Sequence, residues 1–123
     1  MKVLFIDNEE RLKQHRLFQL ILKVEEKIES ANFEWDNGPN ADTGKRIKEM
    51  LRAIKEADCV FIHFGSMPRD KASQILSEIK EKTSVRVIVN SASPLLFEKA
   101  DCVLELPALV ETKIRAIKGF DSQ

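Results

Sequence analysis

Four short runs of β-branched, aromatic and aliphatic residues punctuate the chain: Val3 to Ile6, Cys59 to Phe64, Val85 to Val89 and Cys102 to Leu106. Their near-continuous apolar character is that of parallel strands covered on both faces. A weaker run, Asn32-Phe33-Glu34-Trp35-Asp36, alternates instead, as a strand with one wetter face does. Helical patterns lie between the runs. Leu17, Leu20, Ile21, Val24 and Ile28 share one face of a first helix, and Ile47, Met50, Leu51 and Ile54 line a second. Ala72, Ile75, Leu76 and Ile79 do the same for a third, as Val110, Ile114 and Ile117 do for the last.

The punctuation supports this division. Pro68, Pro94 and Pro107 each follow a strand and precede a helix, where a missing N–H costs nothing and a fixed φ helps initiation. Ser93 is placed to cap the helix after Pro94, and Gly119 to end the last one. The cluster from Asn37 to Gly44 is the only loop-like stretch of any length. Strands and helices alternate, and right-handed crossovers then predict an α/β fold: a doubly wound, five-stranded parallel sheet with helices on both faces. Strand order 2-1-3-4-5, to which a related order is the alternative, puts the second and fifth strands at the edges, which tolerate Glu34 and Glu105 better than the centre. Residues 1–123 show no internal boundary, so one domain is expected. The segments Ala57-Asp58-Cys59-Val60 and Ala100-Asp101-Cys102-Val103 mark two similar helix-to-strand junctions rather than a repeat architecture.

Composition narrows the class. With 43% hydrophobic and 33% charged residues, the chain belongs with soluble globular proteins. Twenty basic residues balance twenty acidic ones, so neither nucleic acid nor a membrane is an expected partner. The apolar run after Met1 is too short for a signal peptide or a span, and a cytoplasmic location is expected. In a reducing compartment Cys59 and Cys102 are small core residues, not a disulfide.

Ligands of such sheets bind outside the strand C-termini. Asp7, Asn8, Glu9 and Glu10 stand there after the first strand, His63 to Ser66 after the third, and Asn90, Ser91 and Leu106 complete the rim. At these positions the chain resembles a response-regulator receiver domain, a (βα)5 flavodoxin-like fold. Phe5-Ile6-Asp7-Asn8-Glu9-Glu10 is similar to that family's acidic cluster, with Asn8 replacing one acid. Met67-Pro68 is similar to its Met-Pro, Ser91-Ala92 to its Ser/Thr-Ala, and Leu106-Pro107 keeps the proline of its Lys-Pro. Phe64 stands three residues before Met67, where the family has its phosphoacceptor aspartate, and Leu106 replaces the lysine. The resemblance spans nearly the whole chain in element order. It implies a stand-alone pseudo-receiver, a signalling module that acts by protein–protein interaction without normal aspartyl phosphorylation.

The chemistry agrees. Aspartyl phosphorylation needs a carboxylate nucleophile, a divalent cation and a nearby cationic group. Phe64 and Leu106 supply neither nucleophile nor cation, and Asp58 and Asp101 enter their strands at the opposite end of the sheet. Asn8, Phe64 and Leu106 thus mark a degenerate phosphosite, with no catalytic residue and no enzyme expected. No cofactor is expected beyond a weak Mg²⁺ on Asp7 and Glu9, with Glu10 as a further oxygen donor; the plainer role of these acids is to complement a helix start. His63 is a packing histidine or, more sharply, a base or phosphoryl acceptor, and His15, among charges, is expected to face water. A true phosphoreceiver using Asp7 or Asp36 is a further, divergent reading.

An alternative function is nucleotide or phosphate binding, with backbone N–H groups of Gly65, Ser66, Ser91 and Ala92 holding the anion. Gly38 to Arg46 resembles a phosphate-binding loop, but five residues separate its glycines where four are needed, and Arg46 replaces the Ser/Thr. A polar turn with Asp42 or Thr43 capping the second helix is the better account, leaving Lys45 and Arg46 to touch an anionic partner.

Phe18 and Leu22, at i, i+4 and turned from the main face of the first helix, exceed the stripe a sheet-covering helix needs. They either pack under the second strand's edge or mark an interface. Leu95, Leu96 and Phe97 offer a second surface on the side of the fourth and fifth helices. The resemblance implies a protein partner such as a kinase or ATPase at the first surface, and a homodimer at the second.

Overall fold

The computed structural model describes residues 1–35, 43–65, 69–92, 97 and 99–119. Strands β1 (Lys2–Asp7), β2 (Glu29–Glu34), β3 (Cys59–Ile62), β4 (Arg86–Ser91) and β5 (Cys102–Glu105) form one sheet in the order β2-β1-β3-β4-β5. Every neighbouring pair is parallel. This is the predicted doubly wound order, and Glu34 and Glu105 lie exposed on its edge strands. β2 starts earlier than the alternating run predicts, because its ladder with β1 begins at the pair Lys2 and Glu29.

The helices are α1 (Glu9–Gln14), α2 (Arg16–Glu25), α3 (Thr43–Ile54), α4 (Arg69–Lys82) and α5 (Val110–Lys118). The expected first helix is therefore two, broken at His15, whose N–H is shared between the carbonyls of Arg11 and Leu12. Asn8 caps α1 by accepting the Arg11 N–H at 2.9 Å. Gly119 ends α5 in the left-handed region at φ 84°, as predicted from its position. The helix expected after Pro94 would start on residues outside those described, and the described residues that follow, Phe97, Lys99 and Ala100, are not helical.

Strand parity sorts the interior into two cores. Leu4, Ile6, Val60, Ile62, Val87 and Val89 point to one face and pack with Met50, Ile54, Ile75 and Ile79 of α3 and α4. Val3, Phe5, Cys59, Phe61 and Ile88 point to the other and pack with residues of α1, α2 and α5. Here the expected faces of the first helix are reversed. Phe18 and Leu22 are 5% and 0% exposed, so neither is a surface contact, while Leu17, Leu20 and Val24 are 69%, 55% and 58% exposed. The cause is the Phe5–Phe61 pair, into which Phe18 fits with ring centroids 6.0 and 6.2 Å away. Phe97 is likewise buried rather than offered as an interface; Leu95 and Leu96 lie outside the described residues.

The duplicated Ala-Asp-Cys-Val junctions have a common geometry. Asp58 Oδ2 accepts the Lys2 N–H at 2.8 Å while the Asp58 N–H returns to the Lys2 carbonyl at 2.9 Å. Asp101 does the same with Val87, at 2.7 and 3.0 Å. Each aspartate thus satisfies a backbone donor at the start of the neighbouring strand. Cys59 is a buried thiol, and burial pushes it up to about 12. Arg46 folds back over the Phe33 ring, 4.3 Å from its centroid, and pairs with Glu49. Among the described residues no helix is long and apolar enough to cross a membrane.

Candidate functional site

The site is built on β1, whose last residue, Asp7, points to the α1, α2 and α5 side of the sheet with Val3 and Phe5. Asp7 is buried yet directs its oxygens to four donors. Oδ1 accepts the Asn8 N–H at 2.8 Å and meets His63 Nδ1 at 3.3 Å. Oδ2 meets Arg11 Nε and His15 Nε2, each at 3.2 Å. Burial pushes the carboxyl up, but bonds from His15, His63 and the Asn8 N–H outweigh it and hold Asp7 well below the usual carboxylate range. Because an ionised carboxylate only accepts, each imidazole must turn an N–H toward it, Nδ1–H in His63 and Nε2–H in His15.

Three elements supply these donors. The α1 helix brings Arg11 back at i, i+4 from Asp7, and the break after α1 brings His15. His63 follows β3 and continues its ladder, donating its N–H to the Ile6 carbonyl at 3.1 Å. The expectation that His15 faces water is thereby corrected. It is buried, with ring centroids 5.3 Å from Phe5 and 6.0 Å from Phe61, because the Asp7 carboxylate and two aromatic faces together suit an imidazole.

The register extends the row. Ile6, Ile62 and Val89 are cross-strand partners, so Asp7, His63 and Asn90, each one residue further, lie side by side on the same face. Asn90 is buried, and its Oδ1 makes no hydrogen bond. Phe64, at the position where the receiver family carries its phosphoacceptor, turns to the other core and stacks on Phe97 at 5.3 Å with rings 14° apart. Leu106 is half-buried and precedes a cis peptide bond to Pro107.

The other residues singled out by sequence are not gathered into the Asp7 cluster. Glu9 and Glu10 are exposed and both pair with Lys13 at 3.6 Å. Among the described residues no three imidazole, carboxylate or thiol groups converge as metal ligands. Gly65, at φ 63° in the left-handed region, and Ala92 are exposed, while Ser91 is half-buried. Ser66 lies outside the described residues. Sequence reasoning missed His15, although the spacing of Asp7, Arg11 and His15 at successive steps of four places them along one helical line.

No family model and no curated protein matches the sequence. Solved structures match by shape. The chain is similar to the receiver domain of the hybrid histidine kinase CckA, with a TM-score of 0.63, 13% identity and 98% of each chain covered. It is similar to a CpaE protein of Burkholderia thailandensis assigned to pilus assembly, with a TM-score of 0.68, 14% identity and 100% of each chain covered. A 3-dehydroquinate dehydratase-like protein from Bifidobacterium longum also aligns, at a TM-score of 0.61 and 10% identity over 98% of this chain and 94% of its own. The chain therefore has a receiver-like, flavodoxin-like fold, an architecture that hosts more than one kind of chemistry.

Proposed function

We propose that this chain is a receiver-like signalling module that works by protein–protein contact, its aspartyl phosphosite having been lost. The observation that carries the reading is the outer face of α2. Leu17, Leu20, Ile21 and Val24 follow i, i+3, i+4, i+7 spacing, and three of them are more than half exposed although the opposite face of the helix is sealed in the core. Single exposed leucines are ordinary, but a continuous ridge on a helix is the pattern of a surface that receives another helix or groove. Exposed Arg16 and Lys23 border the ridge on one side and exposed Glu25 on the other, so a partner helix with an acidic border fits the first side. The proposed surface is therefore the face of this helical segment opposite Phe18 and Leu22. The loss of the phosphosite is supported by the Phe64 ring, which is buried against Phe97 and offers no nucleophile.

Affinity capture with the intact chain and with a Leu17→Asp/Leu20→Asp double variant tests the contact. A binder held by the intact chain and weakened about tenfold or more by the variant is expected, since a ridge of this kind carries hot-spot energy. Equal recovery by both would remove α2 from the interface. The variant is expected to keep the far-ultraviolet circular dichroism of the intact chain, because both positions point to solvent. Incubation with Mg²⁺ and acetyl phosphate tests the second half, and formation of a base-labile aspartyl phosphate would overturn it.

A further inference from the structure

We infer that His63 is a phosphoryl-acceptor site, modified at Nε2, with Asp7 as its positioning residue. The geometry of the ring selects the atom. Nδ1 lies 3.3 Å from Asp7 Oδ1 and carries the proton that the carboxylate accepts, so the lone pair of the neutral ring is on Nε2. Of the two imidazoles on Asp7, His63 is the one with access. Its side chain is 14% exposed at the C-terminal end of β3, whereas His15 is packed between Phe5 and Phe61. Among the described residues, Gly65 two positions later and Ala92 just past the end of the neighbouring strand are both exposed. A tetrahedral group therefore meets no large side chain from either residue.

The second, independent observation is Asn90. It sits next to His63 across the β3–β4 ladder, is 1% exposed, and leaves its Oδ1 without a donor. A buried amide oxygen in that state is unfavourable until a donor reaches it. No bond to Oδ1 opposes a half-turn of the amide, and the turned amide offers Nδ2–H to an oxygen of a phosphoryl group on the adjacent ring. A water molecule or a singly protonated phosphoryl would instead donate to Oδ1 as it stands.

The step balances with a phosphoramidate as donor. The Nε2 lone pair attacks phosphorus and forms the N–P bond, while the donor's P–N bond breaks and its electron pair leaves with ammonia. The ring keeps its Nδ1–H and becomes an imidazolium, whose charge the Asp7 carboxylate offsets. Asp7 is thereby held ionised for a purpose that its neighbours already serve. This inference does not depend on the α2 ridge; it names an input through which a module without an aspartyl site could still be modified.

The test is incubation of the intact chain with potassium phosphoramidate, followed by intact mass, fragmentation and stability of the adduct. One added phosphoryl group, lost in mild acid, kept in alkali and mapped to His63, is expected, with none on His63→Gln. Asp7→Asn should slow the reaction by about 100-fold, and nitrogen chemical shifts of His63 should show the Nδ1–H tautomer in the intact chain but not in this variant. If Asp7→Asn does not fold, mapping in the intact chain and the His63→Gln variant decide the matter. Absence of an adduct, or an adduct on another residue, would overturn the assignment alone. A base-labile adduct on an aspartate would overturn it together with the proposed loss of the aspartyl site.

Discussion

The two ends of the sheet use aspartate in opposite ways. At the N-terminal end Asp58 and Asp101 stand at half-open junctions and bind backbone, each closing a loop with the first residues of the neighbouring strand, with Lys80 as a further, surface partner of Asp101. At the C-terminal end Asp7 is sealed and binds side chains, gathering Arg11, His15 and His63 from segments up to 56 positions away. The first arrangement needs only one local sequence motif, and the chain contains it twice. The second exists only when β1, β3 and the break between α1 and α2 are assembled. An acid that satisfies a neighbouring N–H holds strands in register and leaves nothing over for chemistry. A buried acid that orients an imidazole with an open second nitrogen sets up a reactive group.

The largest effect should come from breaking the sealed end. Asp7→Ala removes one carboxylate and strands its four donors, and the loss in unfolding free energy should be about 3–5 kcal/mol in a urea titration. A loss comparable to that of the junction aspartates would erase the contrast. The same carboxylate sets a pH signature. Its folded pKa lies below the ordinary value of 3.8, so its stabilisation is fully present above that value and disappears as pH falls through the lower, folded one. Urea midpoints measured downward from pH 5 should therefore fall in the intact chain, and fall less steeply in Asp7→Asn.

Smaller effects sharpen the comparison at the other end. Asp101 is also held below the ordinary range: burial raises it, but Lys80, the Val87 N–H and the nearby charge of Arg86 together lower it. Its side chain is about one-third exposed, so screening by solvent limits the gain. Asp101→Ala should cost about 1–2 kcal/mol, mostly through the unpaired Val87 N–H. Asp58→Ala should cost less, about 1 kcal/mol or below, because water can replace the carboxylate at the exposed Lys2 N–H. Equal costs would mean that burial of the neighbouring strand does not matter at this end.

Much of the fold was legible along the chain. The apolar runs of the β1, β3, β4 and β5 regions and the stripe Ala72, Ile75, Leu76 and Ile79 were read correctly, because a strand or helix with a wide apolar face admits one solution. The first helix was not. It carries two apolar ridges, and hydropathy ranks Leu17, Leu20, Ile21 and Val24 above a stripe interrupted by a histidine. Counting His15 as an interior residue makes Leu12, His15, Phe18 and Leu22 one continuous ridge, which is the buried one. The same histidine hides the site, since a lone imidazole among charges carries no sign along the chain that it is a partner of Asp7.

By itself the sequence determined the alternation of strands and helices and the residue types at each strand tip, because these follow from local periodicity. Tertiary structure alone decided which ridge of α2 faces water and which nitrogen of His63 is turned from its carboxylate. Both depend on contacts between segments far apart in the chain. A helix with two apolar faces buries the one whose shape fits the rings already in the core, and an imidazole takes the tautomer that the nearest buried charge accepts.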